Sequence, residues 1–384
     1  MFRKKHSLIK GTLILTSAGL VSRVLGFFFR IFLSHTFGEE QVGLYQLIFP
    51  FYALCLSLST SGLETAISRS VSRFHSLGRT QDGKLIFQTG LILSVLISLI
   101  CTFLVQKNSV FLSNRFLGDP RCATLLYLIV LALPAASVHS CICGYHYGLQ
   151  RTSVPAISQL LEQFVRISSV FVLYFIFIHS GVHPEIPLAV SGIIFGELAA
   201  AGYSLFSLKK KGFDADSPYI LSISKSCSEL LRLSVPLTVN RTAITFLQGI
   251  EAASIPVCLE LASHSASEAL SIYGVLTGMA LPCILFPCAL TNSVSLLLIP
   301  AVAQKQAENS SKETLLLIKK AAGGCFSLGL LCSVFFLLTG SFLGNFLFHS
   351  TLAGNFIVTL AGSVLSCTQV PLFSVQSMDW DLQP

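Results

Sequence analysis

Ser22-Arg23-Val24-Leu25-Gly26-Phe27-Phe28-Phe29-Arg30 lies inside the first long apolar stretch of the chain and carries two guanidinium groups to membrane depth. An arginine near the centre of a spanning helix costs about 2.5–3.5 kcal/mol on insertion scales, so something polar must meet both. The two are seven residues apart. At about 100° per residue that leaves them within roughly 20° on one helix face, as a single cationic stripe.

The rest of the chain is as apolar as this stretch. Of its 384 residues 53% are hydrophobic and 11% charged, and the mean hydropathy is +0.74, a balance that a water-soluble fold of this length does not carry. The apolar runs reach the roughly 20 helical residues needed to cross the hydrocarbon layer, and they lack the short alternation of an outer-membrane barrel. The expected fold class is therefore all-α and polytopic. Hydropathy and punctuation give ten expected spans, at 8–35, 43–68, 85–106, 122–148, 153–179, 187–208, 229–256, 271–303, 315–340 and 354–377.

Arg3-Lys4-Lys5-His6 reads as the flank of a retained first helix, because the apolar part that follows is too long for a signal peptide and contains Arg23. The basic residues then set the expected orientation. With the N-terminus cytoplasmic, 18 of the 25 Lys and Arg fall on cytoplasmic segments, while Lys107, Arg115 and Arg121 alone fall outside and Arg23, Arg30, Arg166 and Arg241 fall within spans. That asymmetry follows the positive-inside rule, and it accounts for the +7 net charge without a nucleic-acid partner. The longest polar connection, Lys209 to about Cys227, divides the expected N-terminal six-helix lobe, 1–211, from an incomplete C-terminal lobe, 212–384, holding helices seven to ten. Ile48-Phe49-Pro50 and Leu285-Phe286-Pro287 form a weak echo of duplication between the two. The twelve cysteines lie mostly in apolar runs and read as small hydrophobes. Cys141-x-Cys143 has neither zinc-ligand nor redox spacing. The glycosylation patterns at Asn240 and Asn309 fall in a span and a cytoplasmic loop and are chance matches.

Intramembrane polar residues are the candidate functional groups. Arg30 either snorkels to the outer interface or joins Arg23 at a ligand. Glu162 and Arg166 are an acid-then-base pair at i, i+4, placed either to neutralise each other or to share a ligand. Span seven adds Asn240, Arg241 and Glu251, with the last two some 80° apart around the helix. Glu64 and Glu197 are further acids, available for proton or cation coupling or for pairing with an arginine. The histidines form no metal signature, so no metal site is expected. Four arginines in spans suit an anionic ligand that itself crosses the bilayer, because guanidinium forks grip phosphate oxygens and stay charged at any depth.

Four segments carry a family resemblance along essentially the whole chain. They are Ser22 to Gly26, Gly43-Leu44-Tyr45-Gln46 with Ser61 to Ser68, Leu161-Glu162-Gln163-Phe164-Val165-Arg166, and Tyr273 to Pro282 continuing to Pro300-Ala301. In this order they resemble the stage V sporulation protein B group of oligosaccharide flippases, relatives of the lipid II flippase in the multidrug/oligosaccharidyl-lipid/polysaccharide exporter superfamily. The resemblance implies two six-helix lobes around a cationic cavity that opens alternately to either side and turns over an undecaprenyl-pyrophosphate-linked saccharide or peptidoglycan precursor. Arg23 and Arg30 match the first-helix arginines facing that cavity, although spaced by seven rather than the usual six. Glu251 matches an acidic position on the seventh helix that joins a cation site in some relatives.

About ten of the family's twelve to fourteen helices are expected here. The abruptly polar end, Ser377 to Pro384, back-translates in a shifted frame to Asn-Gly-Leu-Gly-Leu-Ala-Thr, which suggests a truncated reading frame. The expected protein is thus a multi-pass, monomeric flippase of the bacterial cytoplasmic membrane, in contact with membrane lipids and a lipid-linked anionic saccharide. It is expected to have no catalytic residues and no cofactor, and to be driven by Na+, H+ or the membrane potential. Arg23, Arg30, Arg166, Arg241 and Asn240 are its expected substrate ligands, and Glu64, Glu162, Glu197 and Glu251 its coupling or ion-pairing acids. The alternatives are a multidrug or cation antiporter of the same fold, an inactive fragment, and a polytopic glycan polymerase, which the short outer loops disfavour.

Overall fold

The computed structural model describes residues 2–210, 221–292, 298, 302 and 311–369. Asp214 to Pro218 in the interlobe connection, Pro300-Ala301, Asn309 and the terminal Ser377 to Pro384 lie outside the described residues. Among those described there is no strand, and the chain forms a succession of helices. They are α1 (Phe2–Leu56), α2 (Gly62–Ser76), α3 (Thr80–Lys107), α4 (Ser109–Leu112), α5 (Cys122–Ile129), α6 (Leu133–Gly148), α7 (Ser153–His179), α8 (Pro187–Lys210), α9 (Ile223–Leu261), α10 (Ala266–Gly274), α11 (Leu281–Ile284), α12 (Ser311–Phe348) and α13 (Thr351–Leu360).

Eight helical stretches are long and apolar enough to cross a bilayer, or nine if the bent pair Thr351–Leu360 and Ser363–Gln369 counts as one span. The first stretch, Leu13–Ser76, is 64 residues long. At 1.5 Å per residue it measures roughly 96 Å, about three times the hydrocarbon thickness, so it carries two spans. The break between them is Gly38, at φ 78° and ψ 175°, a conformation costly for any residue with a Cβ. It falls in the interval from 35 to 43 where the sequence predicts the first outer turn.

Polar residues inside the second of these spans also find a local reason. Pro50 removes one helical donor, and the following Ser57–Ser61 form a wide π-type turn. There Ser57 Oγ, Ser59 Oγ and Thr60 Oγ1 donate to Leu54 O, Cys55 O and Leu56 O at 2.9, 3.0 and 2.7 Å, keeping carbonyls satisfied where no water reaches. Ser57 Oγ also meets Thr242 Oγ1 and Thr245 Oγ1 of α9 at 3.2 and 3.0 Å.

Packing divides the chain into two compact units. The first takes residues up to Leu25 together with Glu40–Ser271, and the second takes Gly26–Glu39 together with the described residues from Ile272 on. This partition follows contact, whereas the expected lobes at 1–211 and 212–384 follow span number; α9 packs on α2 and α3 in the first unit. That unit is centred on Ile67, Phe74, Phe87, Ile142 and Leu230, from α2, α3, α6 and α9. In the second unit, Ser34 Oγ donates to Phe348 O at 3.1 Å, and the His35 and His349 rings stack with centroids 4.1 Å apart.

Candidate functional site

Within the first unit, α6, α7 and α8 bring a group of polar side chains into the apolar interior. Arg166 Nη2 donates to Glu162 Oε1 one turn earlier on α7, and Nη1 donates to Gln163 Oε1 at 3.5 Å. Glu197 of α8 places Oε2 3.5 Å from His139 Nδ1 of α6. The other ring nitrogen, Nε2, lies 3.0 Å from Ser158 Oγ on α7.

Small residues let these helices approach closely enough for the groups to meet. A Cβ on Gly196 would stand 2.8 Å from Glu162 O and 3.2 Å from Arg166 Cβ, and one on Gly192 would stand 2.9 Å from Arg166 O. This is the small-x-x-x-small contact of membrane helices, and it sets Glu197 beside the Glu162–Arg166 pair. Gly144 of α6 does the same for α2, where a Cβ would lie 2.7 Å from Glu64 O. Glu64 thereby comes under the charges of His139 and Arg241, and Arg166 under those of Glu162 and Glu197, near the neutral phenols Tyr45 and Tyr52 of α1. The interior that results sets three carboxylates against one guanidinium and one imidazole, an arrangement suited to holding cations. His139, Ser158 and Tyr52 carry no local sequence signal that marks them as partners. Gly192 and Gly196, spaced by four just before Glu197, are a sequence signal that could have found the α7–α8 face.

The other expected residues fall elsewhere. Arg23 is exposed and forms no ion pair among the described residues, and Asn240, Arg241 and Glu251 are exposed on α9. An apolar groove of about 630 Å³ in the same unit is lined by Pro50, Leu54, Ile250 and Val257, and by Arg115. Arg30 belongs to the second unit, where its Nη1 donates to Thr277 O at 3.3 Å and Gly278 O at 3.5 Å. Those carbonyls lie in the π-type turn Val275–Ala280, whose irregular ladder leaves them open to a side-chain donor. Arg30→Ala is expected to cost about 1.5–3 kcal/mol, the worth of hydrogen bonds from a charged donor. A fall in the denaturant midpoint in detergent reads this loss, and an unchanged midpoint would contradict an anchoring role.

The family described as polysaccharide biosynthesis protein matches residues 8–306. Stage V sporulation protein B of Bacillus subtilis (strain 168) is 30% identical, over 93% of this chain and 70% of that protein. Lipid II flippase MurJ of the same organism is 25% identical, over 77% of this chain and 58% of its own length. Among solved structures, the inward-facing conformation of a multidrug resistance MATE family transporter of the MOP superfamily superposes with a TM-score of 0.64 at 14% identity, covering 96% of this chain and 84% of that one. At that identity the likeness is one of fold. The match over residues 8–306 and the 30% identity to stage V sporulation protein B, on a chain whose helices are long and apolar enough to cross a bilayer eight times or more, place this protein in the polysaccharide biosynthesis protein family of multi-span membrane proteins.

Proposed function

We propose that this protein is a flippase of the bacterial cytoplasmic membrane that moves an undecaprenyl-pyrophosphate-linked oligosaccharide or peptidoglycan precursor by alternating access. The observation that carries this reading is Arg23, a permanent cation on a spanning helix that is exposed and has no ion-pair partner among the described residues. A cation left open at that depth needs an anion brought to it, and a diphosphate on a lipid carrier is one that must itself cross. Arg241 and Asn240, exposed in the same compact unit, are proposed as its companions, and the groove beside α9 suits an apolar chain. Family membership and the likeness to lipid II flippase MurJ support the same substrate class. Arg166 and Arg30, each bonded to protein groups, act in this reading as scaffold. The positive-inside count supports a cytoplasmic N-terminus, and the interior carboxylates leave room for drive by Na+, H+ or the membrane potential.

A second reading, a cation or drug antiporter of the same fold, is favoured by those three interior carboxylates. Proteoliposomes carrying the full chain separate the two. Turnover of a fluorescent polyprenyl-pyrophosphate saccharide is expected in them, and Arg23→Ala is expected to slow it at least tenfold, since losing a hydrogen bond to a charged group costs about 1.5–3 kcal/mol. Turnover unaffected by Arg23→Ala removes that residue from the site. Efflux of a cationic dye with no lipid turnover selects the antiporter.

A further inference from the structure

His139, Glu162 and Glu197 come from three helices, yet one donor atom of each lies within 4.8 Å of the other two. The hydrogen bonds around His139 fix how it is presented. Ser158 Oγ stands 2.9 Å from Pro155 O, 3.0 Å from His139 Nε2 and 3.7 Å from Cys143 Sγ; in the arrangement where it donates to Pro155 O it accepts from Nε2, which then carries the hydrogen. The lone pair of a neutral ring then sits on Nδ1, facing Glu197 Oε2 across 3.5 Å. Two lone pairs pointing at each other in an apolar interior repel unless a positive charge stands between them. A ring nitrogen held by a second partner while the other faces a carboxylate is also how metal-binding histidines are set.

Two further observations point to a missing ligand. Glu197 is 8% exposed and its Oε2 accepts no hydrogen bond; Tyr52 is 6% exposed and its hydroxyl has no partner, though it lies under the charges of Glu197 and Glu162. The charge balance agrees. Glu162 and Glu197 bring two negative charges beside the guanidinium of Arg166, an excess that a cation held at His139 offsets.

We propose that His139, Glu162 and Glu197 bind a divalent transition-metal cation that ties α6, α7 and α8 together. One imidazole and two carboxylates suit zinc or its neighbours, whereas calcium and magnesium favour all-oxygen sites. Ligands about 2.1 Å from a tetrahedral ion stand roughly 3.4 Å apart. The His139–Glu197 pair already has that spacing, and a Glu162 oxygen stands within 4.8 Å of both. The site is independent of what the protein transports.

The full chain, purified in detergent, stripped with chelator, reloaded with Zn2+ and desalted, should retain one equivalent by mass spectrometry and melt at a higher temperature than the stripped form. His139→Ala and Glu197→Gln should retain less than a tenth of an equivalent and lose the shift, while His179→Ala, changing an exposed histidine on α7, should match the wild type. If Glu197→Gln does not fold, Ser158→Ala decides: removing the partner of Nε2 should weaken Zn2+ binding about 10- to 100-fold. Wild-type protein that keeps no metal, or variants that keep as much as it does, would overturn the proposal. A stability that follows pH but not Zn2+ would overturn it too, because a proton on His139 would then supply the charge.

Discussion

Replacing Arg166 by alanine should destabilise the protein by about 3–5 kcal/mol, because it strands Glu162 in an interior that has no water to solvate it. The arithmetic is unfavourable from every side. Glu162 keeps Glu197 as a like-charged neighbour, while its ion-pair partner on the next turn of α7 is gone. Arg166 also balances Glu197 and lies beside the phenols Tyr45 and Tyr52, so its loss is felt on α8 and α1 as well as on α7. The pair as a whole is a different matter, since burying two charges is itself expensive. Arg166→Met combined with Glu162→Gln should therefore recover much of the stability that Arg166→Ala loses, giving a strongly non-additive double-mutant cycle. Denaturant titration of the detergent-solubilised variants measures both. A loss below about 1 kcal/mol for Arg166→Ala, or additive losses in the cycle, would show that the pair is solvated and outside the core.

What the sequence discloses of this arrangement depends on the distance over which each signal acts. Helical spans, the break near Gly38 and the i, i+4 placing of Glu162 and Arg166 all follow from neighbours within a turn or two, and periodicity reports them. The meeting of His139 with Glu197 does not. Each stands on its own helix with no local partner, and what joins them is the packing of α6 on α8, a matter of which faces meet. Arg30 is a second case. Its seven-residue offset from Arg23 predicts a shared face, but the turn Val275–Ala280 presents two open carbonyls to Arg30 alone, and irregular turns of that kind arise from packing. Equal placement on a helix thus separates into an open cation and a bonded one. That difference is why Arg23 carries the functional proposal.

Gly196→Leu should be strongly damaging on α8. A Cβ there would meet Glu162 O at 2.8 Å, a backbone atom that cannot rotate away, so a leucine must push α7 and α8 apart along their whole contact. Overpacking a closed interface usually costs about 1–3 kcal/mol, and a branched side chain against backbone lies at or beyond the top of that range. Separation would also carry Glu197 away from Arg166, weakening the counter-charge that α7 offers a buried carboxylate. Gly202 provides the control on the same helix, because a Cβ there meets nothing within 4 Å. Gly202→Leu should be neutral or slightly stabilising, as leucine favours helix over glycine by up to about 1 kcal/mol. Monodisperse protein recovered from membranes should fall at least tenfold for Gly196→Leu and stay level for Gly202→Leu, with Gly196→Ala between them. Equal recovery of the two leucine variants would mean that α7 and α8 do not meet through glycine, and the polar interior would then need another geometry to bring Glu162 and Glu197 together.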